Sequence, residues 1–344
     1  MLKRIVTAIP GVLAALALST AAIGADTVTA VKVAQPPKLA AGAADPAWAN
    51  AKPLSVPLTG GKNFKDGSTT ATLKAVYSGD MLYLLLQYDD PTQSVRRSPF
   101  QKQADGKWIK LKDPEDKGGD NNKVYEDKFA LIWNVNNSIK GFNEQGCMVA
   151  CHAGEAGKPY GNKYTASEGE IGDIWHMKSI RTGYIGQTDD QYLDSTRFDK
   201  DKAPEAGRKS DPKAGGGYAD VKLIDGKPEF MSKNALPANK KGGTYYIKDE
   251  GKIPFDDSKF KSGDEVASII VAPLTGDRGE IATNINWKGG KWTAVMSRKL
   301  VTGSKFDAQF DNLDATYSFG LAAFDNAQVR HAIQMGALKL KFAR

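Results

Sequence analysis

A short motif holds both cysteines of the chain and one of its three histidines. It reads Gly146-Cys147-Met148-Val149-Ala150-Cys151-His152. The Cys-x3-Cys-His spacing is one residue wider than the Cys-x2-Cys-His motif that attaches haem c. Thiols four residues apart share one face of a helical turn, and the next imidazole can bind the haem iron. We therefore predict one covalent haem c on Cys147 and Cys151, with His152 as an iron ligand. The alternative is a small disulfide or two free thiols.

The second iron ligand is left open by the residues alone. The remaining candidates are two histidines and three methionines: His176, His331, Met177, Met296 and Met335. A histidine beside a haem also serves by hydrogen-bonding a propionate or the backbone. Methionines commonly fill hydrophobic cores. An open coordination site is the last possibility.

Residues around His176 have side chains that suit a haem pocket. Lys178 and Arg181 could pair with the propionates, or they are ordinary surface charges. Trp175 could pack on the ring, and burial in the core is its alternative interpretation. The same two interpretations apply to Trp287 and Trp292.

Composition and motif content exclude several classes of protein. The chain has 344 residues, of which 41% are hydrophobic, enough for one large domain or two small ones. The formal net charge of +7 comes from mixed charges and not from a basic run, which argues against nucleic-acid binding. The sequence has no Gly-x-Ser-x-Gly motif, no Ser-His-Asp order and no glycine loop for phosphates.

The first 25 residues read as a secretory signal peptide. Lys3 and Arg4 form a positive start, Ile9–Leu18 is apolar, and small residues precede Asp26. The apolar run is short for a membrane span, although an uncleaved anchor is the alternative. No later stretch reaches the length of a span. We therefore expect a periplasmic mature chain, which suits haem c because that haem is attached outside the cytoplasm.

Alternating and buried strand patterns lie at both ends of the chain. They occupy residues 69–77, 81–88, 129–135, 265–271, 280–287, 291–298, 317–324 and 337–342. From about residue 153 to residue 253, glycine, lysine, aspartate and proline dominate. We predict a mainly β chain in which residues 26–344 form one haem-binding β-sandwich domain. Residues 146–253 are predicted to be a loop-rich insertion that carries and covers the haem.

Four short motifs resemble the haem-binding domain of the ethylbenzene dehydrogenase type, the γ-subunit family of type II dimethyl-sulfoxide-reductase-like molybdoenzymes. They are Tyr125-Glu126-Asp127-Lys128-Phe129, Asp173-Ile174-Trp175-His176-Met177-Lys178, Gly289-Gly290-Lys291-Trp292 and Phe324-Asp325-Asn326-Ala327. The stretch from Asp45-Pro46-Ala47-Trp48 through the Leu82–Tyr88 strand also resembles carbohydrate-binding-module-9 and DOMON-like sandwiches. The order of the motifs is their specific feature.

The resemblance implies a β-sandwich with haem held at one end by loops. Family γ-subunits bind a b-type haem through methionine and lysine. In this chain the cysteine motif lies where the family places its methionine, and His331 lies where the family places its lysine. The resemblance therefore implies a c-type relative with His331 as the second ligand. His176 is the next choice and Met177 the third.

The leading functional hypothesis is a periplasmic monohaem cytochrome c that transfers electrons. Its expected partners are redox proteins, either a membrane quinol-oxidase-type cytochrome or a periplasmic reductase or dehydrogenase. The alternatives are a haem subunit of a larger molybdoenzyme-type oxidoreductase, a haem-based ligand sensor or enzyme, and a carbohydrate-binding sandwich without haem. A stand-alone enzyme is the less favoured interpretation.

Overall fold

The structure is a computed structural model that describes residues 26–116, 120–151 and 163–344. The predicted signal peptide and His152 lie outside the described residues. No helix in the described part of the chain is long and apolar enough to cross a membrane.

One 13-stranded sheet dominates the structure. Its strands are β1 (Thr27–Lys32), β2 (Leu54–Thr59), β3 (Ser68–Ser78), β4 (Met81–Asp89), β7 (Lys128–Asn134), β8 (Gly172–Lys178), β9 (Gln187–Leu193), β10 (Arg208–Ser210), β19 (Ile281–Trp287), β20 (Lys291–Lys299), β21 (Tyr317–Phe324), β22 (Ala332–Ile333) and β23 (Leu338–Phe342).

Short strands form four smaller sheets. They are β5 (Phe100–Lys102), β6 (Trp108–Lys110), β11 (Gly215–Asp220), β12 (Leu223–Ile224), β13 (Lys227–Pro228), β14 (Phe230–Ser232), β15 (Ile247–Lys248), β16 (Lys252–Pro254), β17 (Glu265–Val266) and β18 (Ile269–Thr275). Helical structure in the described residues consists of single turns, among them α1 (Phe142–Gln145) and the 3-10 turn Gly146–Val149.

The large sheet closes on itself. The ladder runs β21-β7-β8-β9-β19-β20-β4-β3-β1-β23 and returns to β21, so its two halves face each other across one core. Leu73, Leu86 and Met296 from one half meet Trp133, Trp175 and Phe319 from the other in that core. The predicted mainly β sandwich is thus confirmed.

The predicted strands at residues 69–77 and 81–88 are present and form a hairpin. β3 and β4 pair from Ser78↔Met81 to Ala71↔Tyr88, and Gly79 supplies the positive φ of +58° that their tight turn requires. Alternation then sends Ala71, Leu73 and Ala75 into the core, as the sequence pattern indicates.

The predicted loop-rich insertion is wrong in its central part. β8 and β9 lie inside residues 146–253, and both are inner strands of the large sheet. β8 is buried along its whole length, yet Asp173, His176 and Lys178 interrupt its apolar residues. Each of these polar groups has a buried partner, so the strand lacks the apolar run that strand prediction depends on. The remainder of the segment contributes the short strands β10–β16.

Candidate functional site

A cavity of about 480 Å³ lies on the outer face of the layer formed by β21, β7 and β8. Successive residues of a strand point to opposite faces of its sheet. One set from these strands fills the core, whereas the alternate set lines the cavity. The lining set is Ala130, Ile132, Ile174, His176, Gly320, Ala322 and Phe324. The volume lies within the usual range for cofactor sites, roughly 300–1,000 Å³.

Small residues make the floor of this cavity concave. Ala130 lies between Ala322 and His176 in the ladder, and Ile132 lies beside Gly320. A Cβ on Gly320 would lie 3.4 Å from the Cys147 sulfur and 3.3 Å from the Ile132 Cγ2. The glycine therefore provides the space in which the first cysteine sits.

Close packing between the backbones of Gly146 and Gly336 holds the cysteine turn against the end of the sheet. Gly146 has φ +58° and ψ −143°, and a Cβ there would lie 2.0 Å from the Gly336 carbonyl oxygen. Only glycine allows this approach. Fully buried Phe142 fixes the preceding helical turn. Cys147 and Cys151 are thereby brought to the cavity wall.

Both cysteines are free thiols in the structure. Burial raises the pKa of Cys147 to about 12 and that of Cys151 to about 11. The thiols are therefore protonated and weakly nucleophilic at neutral pH once the chain has folded.

His176 enters the cavity from the middle of β8. Its Nδ1 lies 3.2 Å from the Gln191 Oε1, while its buried Nε2 has no hydrogen-bond partner among the described residues. Burial, followed by the charges of Lys178 and Lys128, holds its pKa well below the ordinary value. The imidazole is thus neutral, which is the form that binds metals.

His331 reaches the same cavity from the connection between β21 and β22. The side chain is half-buried, and its Nδ1 donates to the Val329 carbonyl at 2.6 Å. That bond fixes the tautomer in which Nε2 carries the lone pair. The Phe324 ring lies 4.4 Å from the His331 ring and 5.8 Å from the His176 ring. Two imidazoles distant in sequence therefore flank one aromatic side chain.

Several predicted site residues point away from the cavity. Trp175 and Met177 alternate with His176 on β8, so both lie in the core, and the Trp175 indole donates to Asp173. Lys178 is buried against Asp189 and does not line the cavity. Trp175 and Met177 face the core because a strand presents only every second residue to one face. Lys178 shares the face of His176, and its ion pair with Asp189 keeps it outside the cavity lining. Among the other methionines considered, Met296 is in the core and Met335 is exposed.

Positive charge surrounds the cavity. Its lining includes five cations, namely Arg97, Lys128, Lys163, Arg181 and Arg208. Of these, the sequence indicated only Arg181. Ala130 occupies an outward position of the predicted strand at residues 129–135, and Lys128 continues the same alternation one position before that strand. Strand parity could therefore have identified both as lining residues.

Two carboxylates partly balance these cations. Buried Glu126 accepts from the Arg181 Nε at 2.5 Å and lies 3.7 Å from the Arg97 Nε. Glu205 pairs with Lys163 at 2.8 Å and also with Arg208. Within the described residues, Lys128 has no carboxylate partner, and it donates to the Gln328 carbonyl at 2.9 Å. Burial and nearby Arg181 hold its pKa well below the ordinary value. The cavity therefore carries more positive than negative groups.

A family-model match over most of the chain identifies the family. A family model described as ethylbenzene dehydrogenase matches residues 45–335. The chain belongs to the ethylbenzene dehydrogenase family. The match includes all three strands of the cavity floor, the cysteine turn and His331.

Solved structures similar to this ethylbenzene dehydrogenase family member include a carbohydrate binding module of family 9 from Caldicellulosiruptor kristjanssonii. Its complex with glucose has a TM-score of 0.35 at 6% identity and covers 92% of this chain and 95% of that chain. Its complex with cellotriose has 0.34 at 8%, with 92% and 93% covered. A Bacteroides uniformis protein has 0.38 at 8%, with 92% and 99% covered. No curated protein matches the sequence.

Proposed function

We propose that the chain is an exported monohaem cytochrome c that transfers electrons. One observation carries the proposal: a single cavity receives Cys147, Cys151 and two histidines that are distant in sequence. Haem c requires two thiols for attachment and imidazole for its iron, and this cavity offers both within a ring of cations.

The residues present fit this group in three respects. The apolar floor around Ile132, Ile174 and Ala130 suits a flat porphyrin. The buried Nε2 of His176 has no partner in the described part of the chain, and a buried nitrogen without one is costly unless a ligand or metal satisfies it. The surplus of cations suits two propionates. When bound, the haem would supply one-electron chemistry at its iron.

The chain's own residues have separate roles in this proposal. Cys147 and Cys151 attach the group, and His152 follows directly in the chain as the first imidazole. His331 supplies the second imidazole, with its tautomer fixed by the Val329 carbonyl. Arg181 and Lys128 face the carboxylates of the group. Arg181 remains charged there because Glu126 pairs with it, which raises the pKa of the guanidinium.

His176 is the competing second ligand. The observation that favours it is a neutral imidazole on an inner strand whose Nε2 has no hydrogen-bond partner among the described residues. If His331 is the ligand, His176 and Gln191 instead form a polar contact beside the haem. Variants of the two histidines decide between these roles, as described below.

Two protein ligands would leave the iron without an open position, which suits electron transfer rather than binding of a small molecule. The proposed partners are redox proteins outside the cytoplasm, a membrane quinol-oxidase-type cytochrome or a periplasmic reductase or dehydrogenase. The second candidate function is a haem subunit of a larger molybdoenzyme-type oxidoreductase, which family membership favours. Stable co-purification with a large catalytic subunit would support it.

The test is a pair of absorption spectra of the purified reduced protein, with and without carbon monoxide. An electron carrier with two protein ligands should show a low-spin spectrum that reduces and reoxidises reversibly and does not change on brief exposure to carbon monoxide. A high-spin spectrum with immediate carbon monoxide binding would contradict electron transfer and support a sensor or an enzyme.

A further inference from the structure

Three buried aspartates meet on the core side of β9. Asp190 lies on β9, Asp211 directly follows β10, and Asp307 lies in the connection between β20 and β21. One carboxylate oxygen from each lies within 4.8 Å of the others. Their exposed fractions are 0%, 3% and 1%, so water screens little of the repulsion between them.

Most of the oxygens in this trio lack a donor. Neither oxygen of Asp190 accepts a hydrogen bond from an N–H or O–H among the described residues, and neither oxygen of Asp211 does. Asp307 accepts one bond, from the Thr302 hydroxyl at 2.6 Å, and its other oxygen has none. A carboxylate oxygen of Asp211 lies within 4.8 Å of one of Asp307, a separation at which two buried negative charges need a proton or a cation to balance them. Buried carboxylates normally find donors, so their absence points to a missing cation.

The neighbouring groups do not neutralise the trio. Fully buried Arg298 lies 2.8 Å from the Asp173 carboxylate and 3.8 Å from Asp307. Asp173 is a fourth buried carboxylate, so one guanidinium faces four acidic groups. Asp277 and Glu280 add negative charge nearby. Burial and the neighbouring carboxylates raise the pKa of Asp211 to about 9.

We propose that Asp190, Asp211 and Asp307 bind one Ca²⁺ ion. All donors in the cluster are carboxylate oxygens, which hard divalent cations prefer over the nitrogen and sulfur ligands of zinc sites. Mg²⁺ keeps several waters and demands octahedral geometry, whereas Ca²⁺ accepts an irregular set of protein oxygens. The ion would join β9, the end of β10 and the connection that contains Asp307. Asp190 precedes Gln191, the partner of His176, so the site would also brace one wall of the cavity.

The second buried acidic trio differs in its hydrogen bonds. Asp127 accepts from the backbone N–H groups of Ser94 and Asn326 and from the Trp292 indole. Asp90 and Asp325 accept from Thr92. Since these donors satisfy most of its oxygens, we assign no cation to that trio.

The experiment measures thermal unfolding of the full-length purified protein at pH 7 in chelator, in MgCl₂ and in CaCl₂ at about 1 mM, the weak end of calcium affinities in extracellular modules. The melting temperature should rise by several degrees in CaCl₂ and less in MgCl₂, because the ion binds only the folded chain. Equilibrium dialysis with radioactive calcium should find one ion per chain.

Asp190→Asn should abolish the response to CaCl₂, and it should melt no lower than the wild type in chelator because it relieves repulsion. Exposed Asp311→Asn, in the same connection as Asp307, is the matched control and should keep the full response. If Asp190→Asn does not fold, Asp211→Asn takes its place. An unchanged wild-type melting temperature in CaCl₂ with no bound calcium, or an undiminished response in the variant that folds, would overturn the proposal and leave shared protons as the balancing charge.

Discussion

At the scale of single residues, the question is which of two imidazoles, His331 or His176, is the second iron ligand. His331→Ala should convert the haem iron from low-spin to high-spin, because it removes the proposed second ligand. His176→Ala should keep a low-spin iron, since that side chain would only hydrogen-bond beside the haem. Absorption and electron paramagnetic resonance spectra of the two variants make the comparison.

The two variants serve as controls for each other, because both remove an imidazole that flanks Phe324. A high-spin His176→Ala protein beside a low-spin His331→Ala protein would assign the second ligand to His176. Protein content and bound haem are measured in both, so that loss of haem is not mistaken for a change of spin.

The residues that could bind a cofactor were easier to identify from the sequence than the direction in which their side chains point. The pair Cys147 and Cys151 was found from spacing, and the structure places both at one cavity. His176 and Met177 are adjacent in sequence, but strand alternation sends only the histidine outward. Lys128 was missed because a lysine next to a buried strand is normally taken as the exposed end of that strand. Its exposed fraction is only 2%.

At the scale of elements, the cavity depends on the floor of β21, β7 and β8. Gly320→Val should greatly reduce the haem content per folded chain, because its branched side chain would occupy the space of the Cys147 sulfur and Ile132. The haem content is measured from the absorbance ratio of the haem to the protein, and folding from circular dichroism.

Ser318→Val is the matched control for this variant. It places the same side chain on the same face of β21, two residues away and outside the cavity lining. Equal haem content in both variants would contradict the assignment of this floor to the haem.

The strands near both ends of the sequence were predictable, because their apolar residues alternate with polar ones or form dense apolar runs. β8 and β9 were not, since several of their buried charges are balanced by partners distant in sequence. Asp173 meets Arg298, and Asp189 meets Arg278. Such nonlocal pairing leaves no local pattern, so the sequence did not indicate a cavity over the face of these strands.

At the scale of the whole molecule, buried acids make stability depend on pH. Burial, then the charge of Asp325, raises the pKa of Asp90 to about 7. The unfolded chain releases this proton near pH 4 and the folded chain near 7. Stability should therefore fall as pH rises between these values, by up to about 1.4 kcal/mol per pH unit, and then level off.

Urea unfolding at pH 5 and pH 8 measures this dependence in the wild type and in Asp90→Asn. The variant cannot titrate, so its stability should change less between the two pH values. Exposed Asp66→Asn is the control and should follow the wild type. Equal pH dependence in Asp90→Asn and the wild type would contradict the raised pKa.

The closed sheet also explains why the whole chain is needed to build the cavity. β7 pairs with β8 on one side and with β21 on the other, although β8 begins at Gly172 and β21 begins 145 positions later at Tyr317. The floor therefore forms only when distant segments meet, which local patterns in the sequence do not report.

The central claim is that Cys147 and Cys151 hold a haem covalently. The most direct measurement is a pyridine haemochrome spectrum, with acid-acetone extraction, of protein expressed in a periplasm that has haem-maturation machinery. We predict a c-type spectrum with the haem retained by the wild-type protein, and a shifted band or loss of haem in Cys147→Ala and Cys151→Ala. A colourless folded protein, or haem that acid-acetone extracts completely from the wild type, would contradict the account.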